Sequence, residues 1–417
     1  MLVVILLILF SELTIIFCSE FNKNNKIELL NLLYNKQKQD PSIKCLININ
    51  YADTIQNKYI NTPYDTNFTY GKYIDFFVSI SDTNKYIVLP LNEFRNTFNP
   101  QKIVIGLRHD IDLDLNKAYQ LSIVENNIGV RSSYFVLHAA NYYLAKPNRM
   151  STHNKKIIFP LMVMQDKYNH EIGWHNDLIT LQLIYKIDPI NYLYQELDWL
   201  RKNGLLIYGT SSHGSKYCCT YKFLNLYFWK DFKNYNNPAF NYYDKVIVNG
   251  ESICFKKALL KDFNLDYEAY FLSFNKYYSD ASFINGQRWH IGKLNLNMLK
   301  PGDRIQILMH PCYYYAKGSN LSEITSFNVF SQKKSIINSV NSTITIKVPY
   351  GTNLSSLHAN FIVSKKANAW IGNRKQVSGL EPINFSQPVV LKIVAENGLS
   401  SKKWTIIVTQ ESKPLVQ

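Results

Sequence analysis

Between residues 101 and 315 the chain repeats one pattern: a short apolar run, a polar cluster, then a segment with helical spacing. KIVIGL (102–107) reads as a strand buried on both faces. DLNKAYQLSIVENNIGV (114–130) reads as a helix, with Ala118, Leu121 and Val124 on one face and Gly129 at its C-terminal end. SSYFVL (132–137) is the next strand, NHEIGWH (169–175) ends a third, and NYLYQELDWLRKNG (191–204) is an amphipathic helix stopped by Gly204. LLIYGTSSHG (205–214) and RIQILMHP (304–311) are further strand-to-loop junctions. Such alternation confines this region to a parallel sheet or barrel. Reactive groups in these folds gather at the C-terminal ends of strands. The polar clusters HDID, WHND, SSHGS and MHP fall at those ends.

The flanking regions differ. After about 320, Ile344, Ile346 and Val348, then Leu391 and Ile393, alternate with period two, and Tyr350-Gly351 and Asn397-Gly398 mark turns. That pattern predicts an all-β sandwich. It holds no clustered His, Asp or Cys, so it is read as a non-catalytic module with a core of its own. Residues 20–100 are rich in Asn, Lys and Tyr, with β-like runs YIDFFVSI and KYIVLP and no assignable role. The first 18 residues, MLVVILLILFSELTIIFC, resemble the apolar core of a secretory signal, with Cys18 as an alternative lipid-attachment point. The expected organisation is therefore a leader (1–18), an N-terminal region (19–100), an α/β unit (101–318) and a β module (319–417).

A chain of 417 residues has room for two or more such units. Its formal charge of +15 comes from lysines scattered in runs no longer than two, with no nucleic-acid motif. The expectation is no nucleic-acid partner; an acidic glycan or cell envelope suits the charge better. The 30 tyrosines fit drift toward AT-rich codons, and a carbohydrate-stacking surface is the rival explanation. Five cysteines lie beyond the leader without CxxC spacing, which argues against a disulfide scaffold or zinc knuckle. Cys218 and Cys219 are expected to be buried side chains.

Asp110 and Asp112 flank Ile111, so an extended backbone turns both carboxylates to one face. One can hold a divalent metal while the other takes a proton. The bland alternative is that Arg108 and His109 simply pair with them. His175 adds an imidazole, with Asp177 two residues on; His213 is flanked by small residues; His310 is followed by proline and a run of tyrosines. Jointly these residues fit metal-assisted hydrolysis with a separate imidazole acid.

These motifs carry a resemblance. LRHDID followed by a helix and GVRSSYFVL resembles the first motif of the NodB-homology polysaccharide deacetylases, in the branch with an HDVD-type motif. EIGWH resembles the second motif, QELDWLRKNGLLIYGTSSHGS a segment typical of that branch, and PGDRIQILMHP the closing histidine motif. The resemblance implies a distorted (β/α) barrel with fewer than eight units. It implies Asp110 as catalytic base, Asp112 as metal-ligating acid, His175 as first metal histidine and His310 as general acid. The family's second metal histidine lies four residues after the first, where this chain has Ile179. His213 is expected to supply the third ligand, with Asp177 as rival and a substrate contact by His213 as the alternative. Asp280, in YYSDAS, resembles a further branch motif; together with Trp174, Asp177 and Tyr313 it is expected to contact substrate. The implied cofactor is a divalent metal, zinc foremost. The implied activity is release of acetyl groups from a secreted or surface-exposed carbohydrate. The alternatives are a related hydrolase of non-sugar C–N bonds, or a catalytically weak carbohydrate-binding protein with the same fold. The C-terminal segment resembles Ig-like or cadherin-like bacterial surface modules, implying a spacer or envelope-attachment role.

Overall fold

Residues 103–111 form one strand with every residue buried, and the rest of the first unit is built around it. The structure is a computed structural model that describes residues 65–144, 153–232, 244–284 and 287–413. The leader and the residues up to 64 lie outside it. The elements that position the site are α1 (Tyr70–Ser79), β1 (Tyr86–Pro90), β2 (Ile103–Ile111), α2 (Leu115–Ile128), β3 (Ser133–Leu137) and β4 (Glu171–Asn176). Further along come α3 (Leu178–Tyr185), α4 (Pro189–Lys202), β5 (Gly209–Ser212), β6 (Tyr267–Glu268), β7 (Lys276–Ser279) and β8 (Arg304–Met309). The strand order is β6-β5-β4-β3-β2-β8-β7, with β1 beside the first half of β2. All pairings are parallel. The order ends at β6 and β7, so the sheet curls into an open half-barrel.

Two local readings need adjustment. YIDFFVSI is helical. Tyr70, Tyr73, Ile74 and Phe77 recur at helical spacing and are all buried, and the Thr69 side chain accepts the Lys72 N–H at 3.2 Å to start α1. Aromatic and β-branched content suggested a strand; the apolar stripe decided otherwise. The strand that begins at KIVIGL also continues through HDI, so the motif sits on β2 rather than beyond it. Elsewhere, Asp114 caps α2 and Gly129 (φ 75°) ends it in the left-handed region.

Along β2, Ile103, Ile105 and Leu107 face the apolar cluster of α1 and α2, while Val104 packs with Phe94, Phe135 and Tyr267 on the opposite face. Glycines make room for those rings. A Cβ on Gly106 would lie 2.7 Å from the Phe94 ring, and one on Gly173 would lie 2.4 Å from Phe135. Overpacking of this kind costs about 1–3 kcal/mol. Gly173→Ala is therefore expected to lower the unfolding free energy measured in urea by that amount, with an earlier midpoint; an unchanged midpoint would show that Phe135 moves aside freely.

The C-terminal region is β-rich. A three-stranded sheet (Ile324–Val329, Leu357–Val363, Pro382–Ile383) and a six-stranded sheet that includes Thr343–Val348, Val389–Val394 and Ser401–Gln410 share an apolar core with Phe327, Ile344, Ile346 and Trp404. This region is also joined to the first unit. Trp370 and Val394 pack in the cluster that holds Tyr70, Ile74, Phe77 and Val124. Asn127 at the end of α2 donates to the Gly398 carbonyl at 3.0 Å. The module thus has its own core and also completes the first unit's core. Among the described residues, no helix is long and apolar enough to cross a membrane.

Candidate metal centre

Period-two alternation on β2 sorts its polar residues into two groups. Arg108, Asp110 and Asp112 turn to the same side; His109 turns to the other. Arg108 and Asp110, both buried, form a fork: Nε donates to Oδ1 at 2.8 Å and Nη2 to Oδ2 at 2.6 Å. Burial alone would raise the Asp110 pKa, but Arg108, His175 and His310 outweigh it and hold it below the ordinary value. His109 leaves the site altogether and meets Glu125 at 2.8 Å. The bland reading of the motif therefore holds for Arg108 and fails for His109.

Three histidines from separate strands converge with this pair and with Asp112. His175, on β4, places Nε2 3.2 Å from Asp112 Oδ1 and 3.4 Å from Asp110 Oδ2. Its Nδ1–H donates to the Ser211 carbonyl at 2.8 Å, which leaves the Nε2 lone pair turned inward. His213 follows β5, its backbone N–H held by the Asn176 carbonyl at 2.8 Å. Its Nδ1 lies 3.2 Å from His175 Nε2 and 3.6 Å from Asp112 Oδ1. Burial lowers the His213 pKa, favouring the neutral ring that ligates metals. His310, after β8, places Nε2 3.5 Å from Asp112 Oδ2. Asp280 accepts both its ring Nδ1–H at 2.5 Å and its backbone N–H at 2.8 Å. Burial works against the His310 cation, yet Asp280 and Asp112 push its pKa up to about 9.

One atom in this cluster stands out. Asp112 Oδ1 is buried with no hydrogen-bond partner, facing two imidazole nitrogens. Donor atoms of Asp112, His175 and His213 all lie within 4.8 Å of one another. One carboxylate and two imidazoles at that spacing suit a divalent cation, and such a cation would satisfy the orphaned oxygen.

The remaining expected site residues distribute differently. Ile179 is fully buried in the apolar core on α3, and its N–H donates to Asn225 Oδ1 at 2.9 Å, so no ligand comes from that position. Asp177, the rival ligand, is buried and accepts from Asn225 Nδ2 at 2.8 Å, outside the three-donor cluster. Trp174 has no exposed surface; it alternates away from His175 and stacks on His138 with ring centroids 4.8 Å apart. It is a core residue, not a substrate contact. Asp280 is likewise fully buried and holds His310 rather than substrate. Tyr313 does line the centre, its ring 5.7 Å from His310. Of the vicinal cysteines, Cys218 is buried but Cys219 is exposed, and the described cysteines are free thiols.

Two supporting residues escaped the sequence reading. The Ser211 carbonyl carries no side-chain signal. Glu268, on a two-residue strand, accepts from the Ser212 N–H at 3.1 Å and so steadies the strand end that bears His213; burial pushes its pKa up to about 7.

Comparison with known proteins adds a family match and, among solved structures, a weak likeness. Residues 324–408 match the family SGBP, N-terminal, a domain of surface glycan-binding proteins. No curated protein sequence matches the chain. A crystal structure from Bacteroides thetaiotaomicron VPI-5482, described as a candidate glycoside hydrolase, is 25% identical over 24% of this chain, with a TM-score of 0.20. The matched part spans 27% of that structure's own length.

Proposed function

We propose that the chain is a metal-dependent hydrolase of the polysaccharide-deacetylase type, removing acyl groups, acetyl foremost, from a carbohydrate at the cell surface. The observation that carries this reading is the convergence of Asp112, His175 and His213 donor atoms beside a clamped acid and a clamped imidazole. The open parallel half-barrel, with all these groups at strand C-termini, supports the same reading. The glycan target and the surface location rest on the match over 324–408, as does attachment to the envelope through that module.

Asp112, His175 and His213 would hold the cation, zinc by the donor types, and it would supply Lewis acidity toward water and carbonyl. The chain's own groups do the rest. Arg108 keeps Asp110 ionised and aimed, an acceptor for the proton of the attacking water. His310, protonated and fixed by Asp280, donates a proton to the departing amine or alcohol. Water oxygen joins the acyl carbon as the C–N or C–O bond breaks, giving a carboxylate and the freed sugar.

The match over 324–408 favours a second reading, a glycan-binding surface protein that retains the fold without turnover. One experiment separates the two. Purified protein is expected to carry about one divalent ion per chain and to release acetate from acetylated oligosaccharides. Chelation should abolish release and added zinc restore it. Glycan binding with no acetate release at any metal loading would favour the second reading.

A further inference from the structure

Beside the centre lies a cation that the reaction above does not use. Arg288 stands at the edge of a short hairpin, Phe283–Ile284 paired with Gln287–Arg288. Its guanidinium carbon lies 4.1 Å from the centroid of the Tyr313 ring and 4.8 Å from that of Phe283. Its Nη1 donates to the Asp280 carbonyl at 2.8 Å, which ties it to the residue that clamps His310. Tyr313, on which it stacks, has its ring centroid 5.7 Å from that of His310.

The neighbouring acids are committed elsewhere: Asp110 to Arg108, Asp280 to His310, Asp112 to the histidines. Among the described residues, no carboxylate forms an ion pair with Arg288. A guanidinium stacked on two rings with one N–H fixed has lost most of its rotamer freedom already, so binding an anion costs it little further entropy. The rest of its planar fork matches an oxyanion. Phe283, 62% exposed, adds an apolar surface against which a sugar face can lie.

We propose that Arg288 receives an oxyanion of the substrate, so that the carbohydrate is acidic, bearing a carboxylate or sulfate close to the acylated position. The location of the scissile group rests on the hydrolase reading; the anion site does not. A net charge of +15 would draw such a polyanion toward the protein.

Calorimetric titration with three oligosaccharides of equal length tests this: a trigalacturonate, a sulfated galactotriose and the neutral galactotriose. The acidic probes are expected to bind wild-type protein about tenfold or more tightly than the neutral one, as a charge-assisted pair implies. That advantage should disappear in Arg288→Gln and return in part in Arg288→Lys, which keeps charge without the fork. The tighter acidic probe identifies the group. Equal binding of acidic and neutral probes by wild-type protein, which needs no variant, overturns the proposal. So does an acidic advantage that survives in a folded Arg288→Gln protein. Calorimetry scores binding alone, so absent acetate release would count against the hydrolase reading and leave this result standing.

Discussion

Replacing His213 with alanine is expected to reduce the metal retained after dialysis by at least about tenfold, and acetate release with it. Two protein ligands, Asp112 and His175, hold a divalent ion poorly, because zinc sites with function keep at least three. The expectation rests on geometry: His213 Nδ1 stands 3.2 Å from His175 Nε2 and 3.6 Å from Asp112 Oδ1. His175→Ala should match the loss, and His358→Ala, exposed on the C-terminal module, should cause none. Elemental analysis of the three proteins decides it. Unchanged metal with weakened substrate binding in His213→Ala would move His213 to the substrate side.

The second large effect lies behind the site. Glu125 is fully buried on α2, where it accepts from His109 Nε2 at 2.8 Å, Ser132 Oγ at 2.6 Å, Tyr134 OH at 2.7 Å and the Tyr73 hydroxyl. Glu125→Gln places donors against donors, and breaking a buried charged network typically costs about 3–5 kcal/mol. Urea unfolding measures it; a loss below about 1 kcal/mol would show the network to be slack. The pH dependence has a definite sign. Burial would raise the Glu125 pKa, but His109, His170 and Ser132 draw it from 4.5 to about 2. A carboxylate whose pKa falls on folding stabilises fully above its unfolded value and loses that stability as pH drops through its folded one. Wild-type protein should therefore shed on the order of 3 kcal/mol more than Glu125→Gln between about pH 5 and pH 2.

What the sequence made legible was local. Apolar runs with polar ends foretold β2, β3, β4 and β8, whereas at β5 the strand is the polar GTSS and not the apolar LLIY before it. Spacing alone set Asp110 and Asp112 on one face. The same rule extended one step back reaches Arg108, so its clamp on Asp110 was there to be read. Trp174 was harder. β4 is buried along its whole length, so alternation offered no solvent face to say which side Trp174 took. Asp280 and His310 are 30 residues apart and meet only because β7 pairs with β8, a tertiary fact with no local trace. Among the described tyrosines, Tyr70, Tyr73, Tyr134, Tyr143, Tyr227 and Tyr314 are fully buried, whereas Tyr185, Tyr194, Tyr208 and Tyr350 are exposed.

The positions of the three donors bear on folding as much as on chemistry. A histidine at position 179 would share a local chain segment with His175, and its closure would be a short loop. His213 instead comes from β5, His175 from β4 and Asp112 from the end of β2, with 62 and 37 residues intervening. Gathering such distant points costs loop-closure entropy that an unfolded chain cannot recover. A cation there would bind the assembled sheet and not the open chain, so its binding energy would act as a staple across β2, β4 and β5. A ligand set drawn from β2, β4 and β5 would thereby fasten the half-barrel itself, where a pair at 175 and 179 would clip only one segment.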